Sequence, residues 1–119
     1  MGGYGVYRTQ FETPSKFRGV AVFSGGPNLG EKYAPDAHPP DFRDVRNLAC
    51  FRGLPVFIFH GERDMNVPIA ATRDLIAKLK NAGATVEARI EADKGHETPS
   101  DDGVRAFKQW ARSVVGEEQ

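Results

Sequence analysis

The run LPVFIFHG, residues 54–61, is the stretch of the sequence that most limits the fold. It is apolar on both alternating faces as far as His60, so a strand made from it must be covered on both sides. The run RGVAVFSGG, residues 18–26, has the same character between Val20 and Phe23. Two such strands are typical of a parallel sheet that lies between layers of helices.

A third strand is predicted from the run ATVEARIEA, in which apolar residues alternate with charged ones. The alternation places Glu87, Arg89 and Glu91 together on one wet face. A strand with one wet face suits the edge of a sheet. The three strands are predicted at 18–23, 55–60 and 85–91.

Helical patterns separate these strands. Apolar residues recur at steps of three and four positions in three segments, and a short helical turn is expected before the second strand. The order helix, strand, loop, strand, helix, strand, helix predicts an α/β fold with a three-stranded parallel sheet flanked by helices. The proline-rich segment 27–42 is expected to be a surface excursion. The predicted helices span 2–11, 69–80 and 101–115, with the short turn at 44–50.

Length and charge narrow the classes of protein. At 119 residues the chain fits one domain, which we predict over 1–119. Sixteen Lys and Arg balance sixteen Asp and Glu, so no strong field favours nucleic acid or an anionic membrane. The chain has no run near the roughly 20 apolar residues of a membrane span. It also shows no signal-peptide pattern, so we expect no membrane partner. The location of the parent protein is unknown, and the chain as given reads as cytoplasmic.

Cofactor and metal sites are not indicated by the sequence. Cys50 is the only cysteine, so an intrachain disulfide, a zinc cluster built on cysteines and a CxxC redox pair are excluded. A phosphate or dinucleotide site would need the pattern G-x-G-x-x-G after a strand, and MGGYG at the start of the chain does not match it. We therefore predict no metal and no organic cofactor.

Two polar residues follow the second and third predicted strands. Asp64 lies in HGERDMNVP, and His96 lies 32 positions later in KGHETPSDD. Because the carboxyl ends of parallel strands meet at one edge of a sheet, the two side chains are expected to lie in contact. A carboxylate that orients an imidazole makes two-thirds of a Ser-His-Asp triad. Taken singly, the Asp is also typical of a turn or helix cap and the His of an exposed loop.

These motifs resemble the carboxyl-terminal half of an α/β-hydrolase. HGERDMNVP, then a helix and a strand, then GHE are similar to the acid and histidine segments of the esterase branch, which includes feruloyl- and polyester-type carboxylesterases. MGGYG resembles the tail of the nucleophile elbow G-x-S-x-G, and VAVFSGG resembles the strand that follows it. Peptidases of the prolyl-oligopeptidase type share the Asp and His signatures and remain an alternative.

The resemblance implies a truncated α/β-hydrolase domain that starts just after the nucleophile serine. Asp64 and His96 are then the retained catalytic residues, and Met1, Gly2 and Gly3 are the remnant of the elbow and oxyanion site. With the elbow serine outside the chain, ester hydrolysis by the chain alone is expected to be weak or absent. The alternatives are a non-catalytic half-domain that acts by assembly, or a fragment of a longer reading frame.

Further candidate residues are predicted near this site. Ser24 is the candidate substitute nucleophile, because it follows the first strand at the same end of the sheet as His96. Tyr4, Tyr33 and His38 are candidates to line the acyl or alcohol pocket of a small-molecule ester. Ser15, Ser100 and Ser113 are expected to have capping or other polar roles.

The partner prediction rests on the first strand. Without a neighbour on its outer side, the strand near 18–23 exposes unpaired backbone groups and apolar side chains. We expect self-association through this edge, as a homodimer or a higher oligomer, and the alternatives are aggregation or a partner fragment that supplies the missing half.

Overall fold

The computed structural model describes residues 2–28 and 40–116. In this part of the chain, helices and strands alternate in the predicted order. Each predicted helix is present within one or two residues of its expected bounds, and the short turn before the second strand is a 3₁₀ helix. The elements are α1 (Gly2–Glu12), β1 (Val20–Phe23), the 3₁₀ helix (Val45–Phe51), β2 (Pro55–Gly61), α2 (Ile69–Asn81), β3 (Thr85–Glu91) and α3 (Asp101–Val115).

The three strands form one parallel sheet, as the sequence predicts, and their order is β1-β2-β3. Val20 lies opposite Val56, and Pro55 lies opposite Thr85. β2 is the central strand and is buried from Val56 to its end, which explains why the LPVFIFHG run is apolar on both faces. β1 is two residues shorter than predicted, because Pro55 on the facing strand has no N–H group with which to extend the ladder.

Helices cover both faces of the sheet. On one face, α1, the 3₁₀ helix and α2 enclose the core, in which the ring of Phe42 packs 5.6 Å from that of Tyr4 and 6.2 Å from that of Phe51. On the other face, α3 places Trp110 5.7 Å from the ring of Phe57. The core residues are Tyr4, Tyr7, Val20, Val22, Phe42, Leu48, Phe51, Leu54, Val56, Ile58, Leu75, Ile76, Leu79 and Ala84.

The predicted alternation of exposed and buried side chains in β3 is wrong at Glu91 and at Ala88. Glu91 is only 9% exposed, whereas Ala88, expected on the dry face, is exposed. The start of α3 covers the end of the strand, and Ser100, which caps this helix, contacts Glu91. Ser100 accepts a hydrogen bond from the Gly103 N–H group, so its expected capping role is confirmed.

The outer edge of β1 has no neighbouring strand in the described parts of the chain. Phe17 and Phe23 flank this edge with 42% and 39% of their surfaces exposed. None of the described helices has both the length and the apolar character that a membrane span requires.

Candidate active site

Asp64 lies in the loop that joins β2 to α2, and its side chain is buried. Its Oδ1 atom accepts hydrogen bonds from the backbone N–H groups of Asn66 and Val67, both at 2.8 Å. Such a turn fixes one carboxylate oxygen to the loop itself. The other oxygen, Oδ2, remains available to a second element.

His96 lies in the loop that joins β3 to α3, and its Nδ1 atom lies 2.9 Å from Asp64 Oδ2. An ionised carboxylate can only accept, so Nδ1 carries the proton and donates it. The His96 side chain is 41% exposed, and its Nε2 atom has no hydrogen-bond partner among residues 2–28 and 40–116. The contact expected between the two residues is therefore present, with the free ring nitrogen in the tautomer that accepts a proton.

The charge of Asp64 follows from its hydrogen bonds. Burial by itself raises the pKa of the Asp64 carboxyl group, but the N–H group of Val67, the His96 ring and the N–H group of Asn66 together hold that pKa below its usual value. The carboxylate is therefore ionised at neutral pH. It can orient the His96 ring and stabilise the imidazolium that proton transfer would form.

Gly61 allows the two loops to meet. A Cβ atom at this position would overlap the carbonyl oxygens of Lys94 and Gly95, which lie against the end of β2. The same contact is tied by a 2.9 Å hydrogen bond from the Arg63 N–H group to the Lys94 carbonyl oxygen. Any larger residue at position 61 would push the His96 loop away from Asp64.

Glu91, at the start of the His96 loop, binds Ser100 at the end of that loop. The two oxygens of its carboxylate accept from the N–H group of Ser100 at 3.1 Å and from its hydroxyl at 2.6 Å. Arg89 donates from Nε to the same carboxylate at 2.7 Å. Burial raises the pKa of the Glu91 carboxyl group, but the Ser100 hydroxyl and the Arg89 guanidinium outweigh it and keep that pKa low. The sequence indicated no such role, because Glu91 reads as one more charged residue of an alternating strand.

His60 is a buried residue near the end of β2 that the sequence reasoning missed. Its Nε2 atom lies 2.8 Å from the Val67 carbonyl oxygen and 3.4 Å from Asp64 Oδ2. Its Nδ1 atom lies 3.0 Å from the Thr72 hydroxyl. The sequence did carry one signal of this role, which is a polar ring within an otherwise apolar strand. Because buried polar groups require hydrogen-bond partners, such a ring indicates a specific contact.

Ser24 follows β1 and has a φ of 58°. It is the only non-glycine residue in the described parts of the chain with a positive φ. Its N–H group donates to the Phe59 carbonyl oxygen at 2.9 Å, whereas its hydroxyl oxygen is buried without a partner in the described residues. Backbone strain of this kind occurs often at functional sites. Ser24 and His96 line one cavity of about 560 Å³, whose other lining residues are Phe23, Glu97, Thr98, Pro99, Val104 and Phe107.

The remaining candidates are separate from this cavity or outside the described residues. Gly3 lies at the start of α1, where an added Cβ would overlap the backbone of Gly25, so the helix starts beside the turn that follows β1. Tyr4 is in the core rather than in the cavity, and its hydroxyl donates to the Pro40 carbonyl oxygen at 2.6 Å. Met1, Tyr33 and His38 lie outside the described residues.

Within 2–28 and 40–116, no three His, Cys, Asp or Glu side chains are arranged to hold an ion.

The sequence itself matches a known family. Residues 26–117 match the sequence model of the prolyl oligopeptidase family. The chain belongs to the prolyl oligopeptidase family. The match covers both β2 and β3 with the loops that carry Asp64 and His96. No curated protein matches the chain.

Solved structures place this family member in the α/β-hydrolase fold, as the resemblance implied. Arabidopsis thaliana SOBER1 matches 96% of this chain with 49% of its own, at a TM-score of 0.68 and 22% identity. TT1662 from Thermus thermophilus matches 94% of this chain with 50% of its own, at a TM-score of 0.69 and 19% identity. A phospholipase/carboxylesterase from Dyadobacter fermentans matches 96% of this chain with 48% of its own, at a TM-score of 0.63 and 20% identity. The chain thus spans about half the length of these structures.

Proposed function

We propose that this chain carries the acid and the histidine of a serine hydrolase that cleaves carboxylic esters. The observation that carries the proposal is the 2.9 Å contact between Asp64 Oδ2 and His96 Nδ1 at the carboxyl end of a parallel sheet. Membership of a hydrolase family supports the reaction class. The phospholipase/carboxylesterase among the similar structures supports esters as the substrate class.

The proposed chemistry proceeds through an acyl-enzyme. His96 Nε2 takes the proton of a serine hydroxyl while the serine oxygen attacks the ester carbonyl carbon, and Asp64 stabilises the imidazolium. His96 then gives that proton to the departing alkoxide, which leaves as the alcohol. Water repeats the sequence on the acyl-enzyme, which releases the carboxylic acid and returns the proton to the serine oxygen.

Ser24 is our candidate nucleophile within this chain. Its unpartnered hydroxyl, its positive φ and the cavity that it shares with His96 support that role. Because the hydroxyl oxygen is buried, the side chain must rotate before it can reach a substrate. We therefore expect a low rate from the chain alone.

The cavity suits an apolar group of the ester. Phe23, Pro99, Val104 and Phe107 supply most of its walls, and the Phe23 and Phe107 rings pack edge to face at 5.3 Å. An aryl or short acyl group would bury apolar surface against these side chains. A short-chain aryl ester is therefore the substrate to test first.

The test compares the chain with three variants on such an aryl ester. We expect a slow rate that falls to the buffer background in His96→Ala and in Ser24→Ala, whereas Ser113→Ala, a serine of α3 away from the cavity, keeps it. A fluorophosphonate, which reacts with an activated serine by loss of fluoride, is expected to label Ser24 in the wild type but not in His96→Ala. Equal rates for the wild type and His96→Ala would overturn the proposal for this chain. Loss of the rate in His96→Ala but not in Ser24→Ala would overturn only the assignment of the nucleophile.

Peptide bonds are the second candidate substrate, because the matched family is named for an oligopeptidase. The acyl-transfer steps are the same, with an amine as the leaving group. An aryl amide of a proline-containing dipeptide, assayed beside the aryl ester, separates the two. Cleavage of the amide at a His96-dependent rate above that of the ester would favour the peptidase.

Assembly through β1 is a separate proposal. The outer edge of β1, the exposed Phe17 and a cleft of about 430 Å³ between α1 and β1 form one apolar strip. The cleft is lined by Gly5, Val6, Thr9, Phe17, Gly19 and Val20. We propose a second copy of this chain as the occupant, joined antiparallel about a two-fold axis. The balanced charge of the sequence gives two copies no net repulsion.

A further inference from the structure

We infer that His60 is a positioning residue that holds Asp64 in the orientation required by His96. This inference rests on the proposed function, since it assigns His60 a part in the same acid–histidine pair. His60 does not line the cavity, and its hydrogen-bond partners are Val67 and Thr72 rather than His96, so its influence passes through Asp64 and its loop. Three contacts, taken in turn, carry the inference.

The first contact joins His60 to the Asp64 loop. Val67 is held from both sides, because its N–H group donates to Asp64 Oδ1 at 2.8 Å and its carbonyl oxygen accepts from His60 Nε2 at 2.8 Å. A carbonyl oxygen only accepts, so Nε2 of His60 carries the proton. His60 therefore fixes the peptide to which the Asp64 carboxylate is itself bonded.

The second contact fixes the His60 ring. With the proton of the neutral ring on Nε2, Nδ1 is an acceptor, and the Thr72 hydroxyl lies 3.0 Å from it. Both residues are fully buried, so water does not compete for the bond between them. The Thr72 hydroxyl, which can donate or accept, donates to Nδ1 in the tautomer that the Val67 carbonyl oxygen selects, and this bond ties the end of β2 to α2.

The third contact concerns the oxygen that His96 uses. Asp64 Oδ2 lies between two imidazoles, at 2.9 Å from His96 Nδ1 and 3.4 Å from His60 Nε2. The N–H group of the neutral His60 ring presents the positive end of its bond dipole to this oxygen from the buried side. It therefore opposes a rotation that would turn Oδ2 away from His96.

Loss of the His60 donor has a specific consequence. The Val67 peptide and the Asp64 carboxylate lose their support from the β2 side, and the Asp64–His96 bond loosens. Part of the His96 population then moves its proton from Nδ1 to Nε2, the wrong tautomer for a general base. Thr72 acts one step further away, through the orientation of the His60 ring.

The experiment measures the tautomers of His60 and His96 by long-range ¹H–¹⁵N correlation in the 119-residue chain at a pH where the rings are neutral. In the wild type we expect the proton on Nε2 in His60 and on Nδ1 in His96. We expect Thr72→Val to lower the Nδ1–H to Nε2–H ratio of His96 by a factor of about 2–10, the range that one net hydrogen bond confers. Thr72→Ser keeps the hydroxyl and is expected to keep the ratio. His60→Phe is expected to lower it at least as much as Thr72→Val.

A destabilised control separates positioning from general loosening. Gln10 is 1% exposed and donates from Nε2 to the Cys50 carbonyl oxygen at 2.9 Å, on the far side of the core, so Gln10→Leu removes a buried polar contact away from the site. The His96 ratio is expected to stay at the wild-type value in this variant. A His96 ratio that is unchanged in Thr72→Val, or lowered as much in Gln10→Leu, would overturn the inference.

Two further outcomes are decisive. A wild-type His60 with its proton on Nδ1 would also overturn the inference, because that tautomer cannot donate to Val67. The readout uses no substrate, so a shifted His96 ratio in a chain without ester hydrolysis supports the role of His60 and counts only against the proposed function. If His60→Phe does not fold, the Thr72 pair decides.

Discussion

Glu91 binds Ser100 twice, through the backbone N–H group and through the hydroxyl, across the loop that carries His96. Glu91 ends β3 and Ser100 caps α3, so the two hydrogen bonds join the strand end to the start of the helix. The loop between them is thereby held at both of its ends. His96 projects from this loop toward Asp64.

Substitution of Glu91 is expected to weaken the fold as well as the site. Glu91→Gln removes the charge from a buried carboxylate that accepts from Ser100 and Arg89, and charge-assisted bonds of this kind contribute about 1.5–3 kcal/mol. We expect the free energy of unfolding, measured by urea denaturation, to fall by about 1–3 kcal/mol. Glu87→Gln, at an exposed position of the same strand, is the matched control and should change it by less than about 0.5 kcal/mol. Similar losses in both variants would contradict the anchoring role of Glu91.

Enlargement of Gly61 is expected to separate the acid from the histidine. In Gly61→Ala the new Cβ atom meets the carbonyl oxygens of Lys94 and Gly95, so the His96 loop must move. Overpacking of this kind costs about 1–3 kcal/mol, and we expect the loss of any low-field imidazole N–H resonance that depends on Asp64. Gly5→Ala is the control in which stability is expected to rise instead of fall. Gly5 lies in α1 and has no neighbouring atom within 4 Å of an added Cβ. That variant should gain up to about 1 kcal/mol. An unperturbed His96 signal in Gly61→Ala would refute the close fit.

The placement of the acid and the histidine was predictable from the sequence. Asp64 and His96 follow two strands whose apolar patterns are strong, and parallel strands bring their carboxyl ends to one edge. β2 and β3 lie within one residue of their predicted ends for the same reason, since LPVFIFHG and ATVEARIEA each have a clear period. The apolar pattern of the strands was therefore enough to predict a contact that depends only on where each residue lies along its strand.

The supports of the site were not predictable, because they depend on contacts between elements distant in sequence. Glu91 was expected to be solvated, and only the position of Ser100 at the start of α3 shows why it is buried. His60 reads as one polar residue in a strand until Thr72 and Val67 are placed beside it. The strain at Ser24 likewise has no signature in VAVFSGG, since a positive φ in a serine is imposed by the surrounding structure.

Acid is expected to destabilise the chain partly through Asp64. Its pKa in the folded chain is lowered, so its contribution to stability is complete above the unfolded value of about 3.9 and is lost as the pH falls through the folded pKa. We expect the free energy of unfolding to fall more steeply below about pH 4 in the wild type than in Asp64→Asn. Urea titrations from neutral pH to about pH 2.5 would measure both slopes. Asp93→Asn, in the exposed turn after β3, should keep the wild-type slope, and equal slopes in the wild type and Asp64→Asn would be the contrary result.

The open edge of β1 is expected to be the surface through which two copies of the chain associate. The Ser24 N–H group points to β2, so by strand alternation the N–H groups of Ala21 and Phe23 point outward, to the free side. Ala21→Pro removes one of these donors without touching the ladder to β2, and proline is tolerated on such an edge. We expect light scattering to give about twice the 13.1 kDa chain mass for the wild type and for Ala21→Val, which keeps the donor, and about one chain mass for Ala21→Pro. A wild-type mass of one chain, or a dimer that survives in Ala21→Pro, would show that β1 is not the edge through which this chain associates.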